Sequence, residues 1–334
     1  MQRAFLADRF GACHFLEPVL TGEPNAFFAN GDHEPSQRRW AFENGLGARA
    51  SLEEILRSQI EQHRTEVFYN LDPMRYGSSF IRNLPGCVRL SIAWRAAPSP
   101  GADFGAYDLV VCNFTSILES YRQRGWKADW FAPSHDPVMS SYATRNSRPI
   151  DVLFIGGYTR HHRRRAEVLE AIATKLATLD IIFHLDESRL TRLAESPLGH
   201  LPPLRKLRRP DAIRRFSRSP VFGKDLYESI ANAKIVFNGA VDMAGPDRGN
   251  MRCFEALGCG ALLVSDAGNY PTGMENGETI LTYETPSDAV RVIRSALDDS
   301  ASTTRIAKAG TQMLETVYSK RQQWQAFQKL VEAL

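Results

Sequence analysis

With 334 residues, 43% of them hydrophobic and 24% charged, the chain has a globular composition and exceeds what one core usually supports, so two domains are expected. No apolar run approaches the roughly 20 residues that cross a bilayer, and the charged start MQRAFLADRF lacks the apolar centre of a secretory signal. Five cysteines without a C-x-x-C pair argue against a disulfide framework or a zinc site, and the expectation is a cytoplasmic protein with reduced thiols.

In chain order, residues 4–20 fit strand or helix equally. The segment NGDHEPSQRRW (30–40) reads as a loop from its Gly, Pro and Asp. SLEEILRSQIEQHR follows as a helix: Ser51 and Glu54 have capping-box spacing, and apolar residues recur at the helical period. EVFYNLDP is a strand closed by Asp72 and Pro73, Ser78–Leu84 a short helix, and CVRLSIAW a strand. YDLVVCNF has the continuous apolar character of a strand buried on both faces; TSILESYRQRGW is a helix ending at Gly125, and KADWFAP the next strand. Strands alternating with helices at this spacing predict a parallel sheet covered on both faces. The polar stretch SHDPVMSSYATRNSRP (134–149), bracketed by prolines, reads as a linker.

DVLFIGGYTRHHRRRAEVLEAIATKLA then restarts an α/β domain as strand, glycine pair, basic loop and helix. Gly156 and Gly157 allow a close backbone approach. Arginines at a helix N-terminus oppose the dipole, which favours a bound anion over a merely solvated helix start. Asp180–Leu185 is the next strand, and Pro197–Pro220 reads as an irregular basic insertion. Between Arg205 and Lys224 stand eight basic residues against one acid, Asp211. Such a run is usually a solvated face; the competing reading is peripheral contact with an anionic or membrane surface. Aromatics are sparse in it, so no specific nucleic-acid partner is expected. The run Lys234–Asp266 reads as a buried strand (Lys234–Asn238), a Gly- and Asp-rich loop, a short helix and a second buried strand (Ala261–Ser265). A strand feeding a glycine-containing loop that opens a helix is where open α/β sheets bind phosphorylated ligands, here with Gly249 and Asn250 at the helix entrance. Arg252 and Glu255, three apart, share a helix face. Beyond Asp266 lie a Gly- and Asn-rich loop, helices over Ser287–Leu297 and Thr303–Val317, and a last helix KRQQWQAFQKLVEAL.

The run NMRCFEALGCGALLVSD resembles the donor-binding segment of GT-B glycosyltransferases, closest to the CgeB-like proteins and the group 1 transferases. The resemblance implies an α/β fold of two Rossmann-like, doubly wound domains facing across a cleft: an acceptor-side domain over 1–140, a donor domain over 141–318, and a terminal helix over 319–334 crossing back to the first. Retaining members carry two acids eight apart. Glu255 matches the second, which holds the ribose, and Asp247 stands at the first, which contacts the donor sugar and is usually Glu. Asn250, Arg252, Gly249, Gly156, Gly157, Arg160, Arg163 and Lys224 are the further donor-binding candidates, with Arg160 and one of Arg163, Arg164 and Arg165 on the diphosphate. With Asp247, the catalytic candidates are His33 and Glu34, one of which would face the cleft from the first domain as a base or sugar-contacting residue, with Asp136 second.

The implied reaction is sugar transfer from a nucleotide-activated donor to a glycan, lipid-linked, protein or small-molecule acceptor, with retention. No cofactor is expected. The Asp-x-Asp motif of metal-dependent GT-A enzymes is absent, so no metal is expected, and a helix N-terminus with fixed cations meets the leaving diphosphate. The competing readings are a GT-B-fold epimerase or phosphorylase and a catalytically silent binding module. A nicotinamide enzyme is disfavoured because no G-x-G-x-x-G occurs.

Overall fold

A computed structural model describes residues 2–158, 163–239 and 244–334. Its described residues divide into two units. The first holds the chain up to Ser134, a short loop segment ending at Asp247, and Lys320–Leu334; the second holds residues 135–242 and 248–319.

The first unit runs α1 (Gln2–Asp8), a single tight turn at Ala12–His14, α2 (Glu17–Thr21), α3 (Glu34–Glu43), α4 (Leu52–Gln62), β1 (Val67–Asn70), α5 (Ser78–Ile81), β2 (Leu90–Trp94), β3 (Leu109–Cys112), α6 (Thr115–Arg122) and β4 (Ala128–Trp130). The four strands pair in parallel in the order β1-β2-β3-β4. Because side chains alternate along a strand, β2 and β3 feed two cores. Ala93, Val110 and Cys112 face Leu56 and Ile60 of α4, Phe80 of α5, and Ile117, Leu118 and Tyr121 of α6. Ile92, Trp94, Leu109 and Val111 face Leu16, the N-cap of α2, and Phe327 of the C-terminal helix Lys320–Glu332. Two ends of the sequence therefore close the second face. The buried ammonium of Lys320 fastens them, donating to the Ala12 and Phe15 carbonyls, 2.6 Å each.

The stretch 30–40 is not the loop its composition suggests. α3 starts at Glu34, His33 is its N-cap and accepts from the Ser36 amide, and Pro35 sits in the first turn, where a missing N–H costs nothing. The Ser51–Glu54 capping box of α4 forms as expected.

The second unit contains α7 (Met139–Ala143), β5 (Ile150–Gly156), α8 (Arg163–Lys175), β6 (Ile181–Leu185), α9 (Arg189–Glu195), α10 (Pro202–Arg205), α11 (Asp211–Phe216), β7 (Ser217–Arg218), α12 (Gly223–Ala231), β8 (Ala233–Phe237), α13 (Met251–Gly258), β9 (Leu262–Asp266), β10 (Leu281–Tyr283), α14 (Pro286–Asp298) and α15 (Ser300–Val317). Its six strands, all parallel, are ordered β10-β9-β8-β5-β6-β7. The order reverses between β5 and β8, the switch point of a doubly wound sheet. Phe154, Phe183 and Phe237 lie within one core that α8 and α14 help to cover.

Two further expectations are corrected here. The polar stretch 134–149 is structured: His135 and Asp136 are buried, and α7 packs on α12 and α13. Arg148 anchors it by donating to the Ala233 and Cys259 carbonyls at 3.1 and 3.0 Å, which supplies partners for backbone that apolar side chains could not satisfy. Pro197–Pro220 is likewise built into the unit: Ile213 and Phe216 of α11 enter the main core, and β7 extends the sheet. Arg209, which composition assigns to a solvated run, is buried and pairs with Glu195 through both carboxylate oxygens.

α13 lies close enough to α7 that a Cβ at Gly258 would overlap the Met139 sulfur and come within 3.2 Å of the His135 ring. Gly258→Ala is expected to cost about 1–3 kcal/mol through overpacking, read as a lower urea midpoint at unchanged slope.

Candidate active site

The switch point of the second unit places the carboxyl ends of β5 and β8 side by side, with Gly156 ending one and Gly157 following it, and Asn238 and Gly239 after the other. A Cβ on Gly157 would stand 3.2 Å from an Asp186 carboxylate oxygen, so the backbone runs where a side chain does not fit easily. Arg165, from the first turns of α8, spans this crevice. Its Nε and Nη2 donate to the Gly239 carbonyl at 3.1 and 2.6 Å, and its Nη1 to the Gly157 carbonyl at 3.4 Å. Arg164 donates to the Glu284 carbonyl, and Arg163 is exposed at the start of α8. Arg160 lies outside the described residues.

The loop into α13 turns at Gly249, whose φ of 98° favours glycine, and Asn250 follows as N-cap. The Asn250 side chain does not cap the helix. Its Nδ2 donates to Asn238 Oδ1 at 3.3 Å instead, and Asn238 in turn donates to the Ser265 hydroxyl. On α13, Arg252 Nη1 meets Glu255 Oε2 at 2.5 Å, with only 16% and 5% of the two side chains exposed. Burial pushes the Glu255 carboxyl above its ordinary value, and the Arg252 charge and hydrogen bond oppose that push. A second buried pair, Arg248 Nε and Asp266 Oδ2 at 2.5 Å, lies at the end of β9, where Tyr270 also donates to the Asp266 carbonyl. Thus the switch region carries several cations, a helix N-terminus and two enclosed carboxylates.

The remaining candidates stand elsewhere. Lys224 is exposed in the first turn of α12. Asp247 belongs to the first unit, where its Oδ2 accepts from the Ser116 amide at 2.7 Å near the N-terminus of α6, a site that favours negative charge. Ser116 Oγ also donates to the Ala244 carbonyl. His33 is engaged as the α3 cap, and Glu34 pairs with Arg38 on the exposed face of the same helix. Asp136 is enclosed in the second unit, with Tyr227 donating to Oδ2 at 3.3 Å. The structure therefore groups the glycines, Arg163, Asn250, Arg252 and Glu255 within one unit and gives His33, Glu34 and Asp136 local structural partners.

Sequence reasoning left three contributors unassigned: Asn238, Arg248 and Asp266. The sign available was position, since Asn238 and Asp266 are polar residues at the carboxyl ends of apolar strands, where open sheets present their ligand groups. Among the described residues, no group of three His, Cys, Asp or Glu side chains is placed to hold a metal.

Residues 199–329 match the sequence family described as glycosyl transferase-like. No curated protein matches the chain. Among solved structures, HepE of Anabaena, crystallised with UDP and glucose, superposes with a TM-score of 0.59 at 13% identity, over 84% of this chain and 82% of that one. A glycosyltransferase from Rickettsia africae superposes at 0.56 with 10% identity, over 92% and 83% of the two chains. Sucrose-phosphate synthase from Thermosynechococcus elongatus gives 0.54 at 13% identity, over 89% and 80%. At these identities the superpositions establish the fold, while the family match concerns residues 199–329. The chain has the GT-B fold, and its residues 199–329 form a glycosyl transferase-like domain.

Proposed function

We propose that the protein transfers a sugar from a nucleoside diphosphate sugar to a hydroxyl acceptor, without a metal ion and with retention of anomeric configuration. The nucleotide occupies the switch crevice of the second unit. The observation that carries this reading is the buried Arg252–Glu255 pair on the helix that opens beside that crevice. A carboxylate enclosed there and oriented by an arginine suits a ribose diol, which supplies two hydroxyl donors. The diphosphate meets the first-turn amides of α13 and the guanidinium groups at the start of α8. These are fixed before charge develops on the leaving group, so little reorganisation is needed as the glycosidic bond breaks. The base proposed for the donor is uracil, because HepE of Anabaena holds UDP on a like fold.

The experiment is incubation with UDP-glucose and a panel of sugar and polyol acceptors in EDTA, reading UDP release and the anomer of the product by proton NMR. UDP release that survives EDTA, with an α-linked product, is expected. An initial β-linked product would overturn retention, and loss of release in EDTA would overturn metal independence. Absence of release from every nucleoside diphosphate sugar tried would remove the transfer reading.

A further inference from the structure

Residues 188–209 fold as α9, a tight turn at Pro197–His200 and α10, which pack on one another at a place the proposed reaction does not use. α9 is inverted relative to an ordinary surface helix: it buries Ala194 completely and turns Leu190 and Leu193, three apart, to the outside. Leu190, Leu193, Leu201 and Leu207 are 58%, 41%, 53% and 47% exposed. Four large aliphatic side chains left in water within 18 residues of sequence are costly for an isolated surface.

The exposed charges between them are basic. The segment's single acid, Glu195, is consumed by the buried Arg209, while Arg208 donates inward to the Ala194 and Ser196 carbonyls. Arg189, Arg205 and Lys206 are exposed, and so is Arg192, which pairs with Glu187 at 3.7 Å. Leucines interleaved with outward cations are what an interfacial segment needs, since the aliphatic groups enter the acyl boundary and the cations meet the headgroups. No Phe, Tyr or Trp occurs between 188 and 209, so the segment lacks the large aromatic platforms of a single-strand nucleic-acid site. No described helix is long and apolar enough to cross a membrane, so the contact is peripheral.

We propose that residues 189–207 of the second unit form a docking surface for an anionic lipid bilayer. This inference is independent of the donor assignment, because its readout is lipid binding. The test is sedimentation of the full chain with vesicles of phosphatidylglycerol and phosphatidylcholine in equal parts, against vesicles of phosphatidylcholine alone. The chain is expected to pellet with the mixed vesicles only, and less so as salt is raised. Leu190→Ser with Leu193→Ser, and separately Arg205→Ala with Lys206→Ala, are each expected to lower the bound fraction at least about tenfold. Both double variants should retain the wild-type unfolding midpoint, because these side chains point away from the core. Failure of the wild type to pellet, or equal pelleting with neutral vesicles, would overturn the proposal. So would undiminished binding by the leucine variant, which would mark a surface for soluble polyanions.

Discussion

Glu255→Gln is expected to lower nucleotide affinity by about tenfold to a hundredfold while the chain stays folded, the range set by a charge-assisted hydrogen bond of roughly 1.5–3 kcal/mol. The amide keeps the shape of the side chain and one acceptor oxygen, but loses the charge that Arg252 orients and that the ribose hydroxyls would meet. Alanine is a poorer choice, since removing one partner of a buried pair costs about 3–5 kcal/mol and would confuse binding with folding. The same substitution has a pH signature. Burial raises the folded-state pKa of Glu255 above its ordinary 4.5, so the folded state holds this proton more tightly than the unfolded chain. The group's contribution to stability is therefore full below 4.5 and is lost as pH rises through the folded-state pKa. Subtracting the stability of wild type from that of Glu255→Gln should give a difference that grows with pH across this window. A difference that falls, or stays flat, would show that Arg252 has fully offset the burial.

Phe327→Ala in the C-terminal helix is expected to destabilise the first unit by about 3–5 kcal/mol. Phe327 is buried and lies 5.1 Å from the Tyr69 ring, 5.9 Å from that of Phe131 and 5.8 Å from that of Trp324, centroid to centroid. Phe327 and Leu16 cover the face of β2 and β3 that α4, α5 and α6 leave open, so truncating the ring leaves a cavity against the sheet. Urea unfolding followed by tryptophan fluorescence reads the loss. Phe42→Ala, at a position 77% exposed, serves as the control and should stay within about 0.5 kcal/mol of wild type.

What could be read from the sequence follows from the range of the interactions. Buried strands such as LVVC and AKIVF, and the Ser51–Glu54 cap, are set by neighbours a few residues apart, and they appear where expected. That Gly156, Gly157, Asn250 and Glu255 fall in one unit was legible because strand, glycine loop and helix follow one another in sequence. α3 was not, since His33 and Pro35 look like loop residues until the proline is recognised as a helix-start residue. The segment 134–149 and Arg209 within the arginine run were misread for a different reason. Their polar groups are satisfied by Ala233, Cys259 and Glu195, partners that no local pattern announces. Asp247 is the extreme case: its Ser116 partner lies 131 residues away, so its place at the head of α6 belongs to tertiary structure alone.

The most direct measurement is thermal unfolding of the full chain with increasing UDP, UDP-glucose and other nucleoside diphosphates, in EDTA, for wild type and Glu255→Gln. A ligand that binds only the folded protein raises its midpoint with concentration by mass action. The predicted result is a concentration-dependent rise for wild type with at least one nucleoside diphosphate, and a curve displaced to higher concentration for Glu255→Gln. No rise with any nucleotide, or identical curves for the two proteins, would contradict the placement of the nucleotide beside α13.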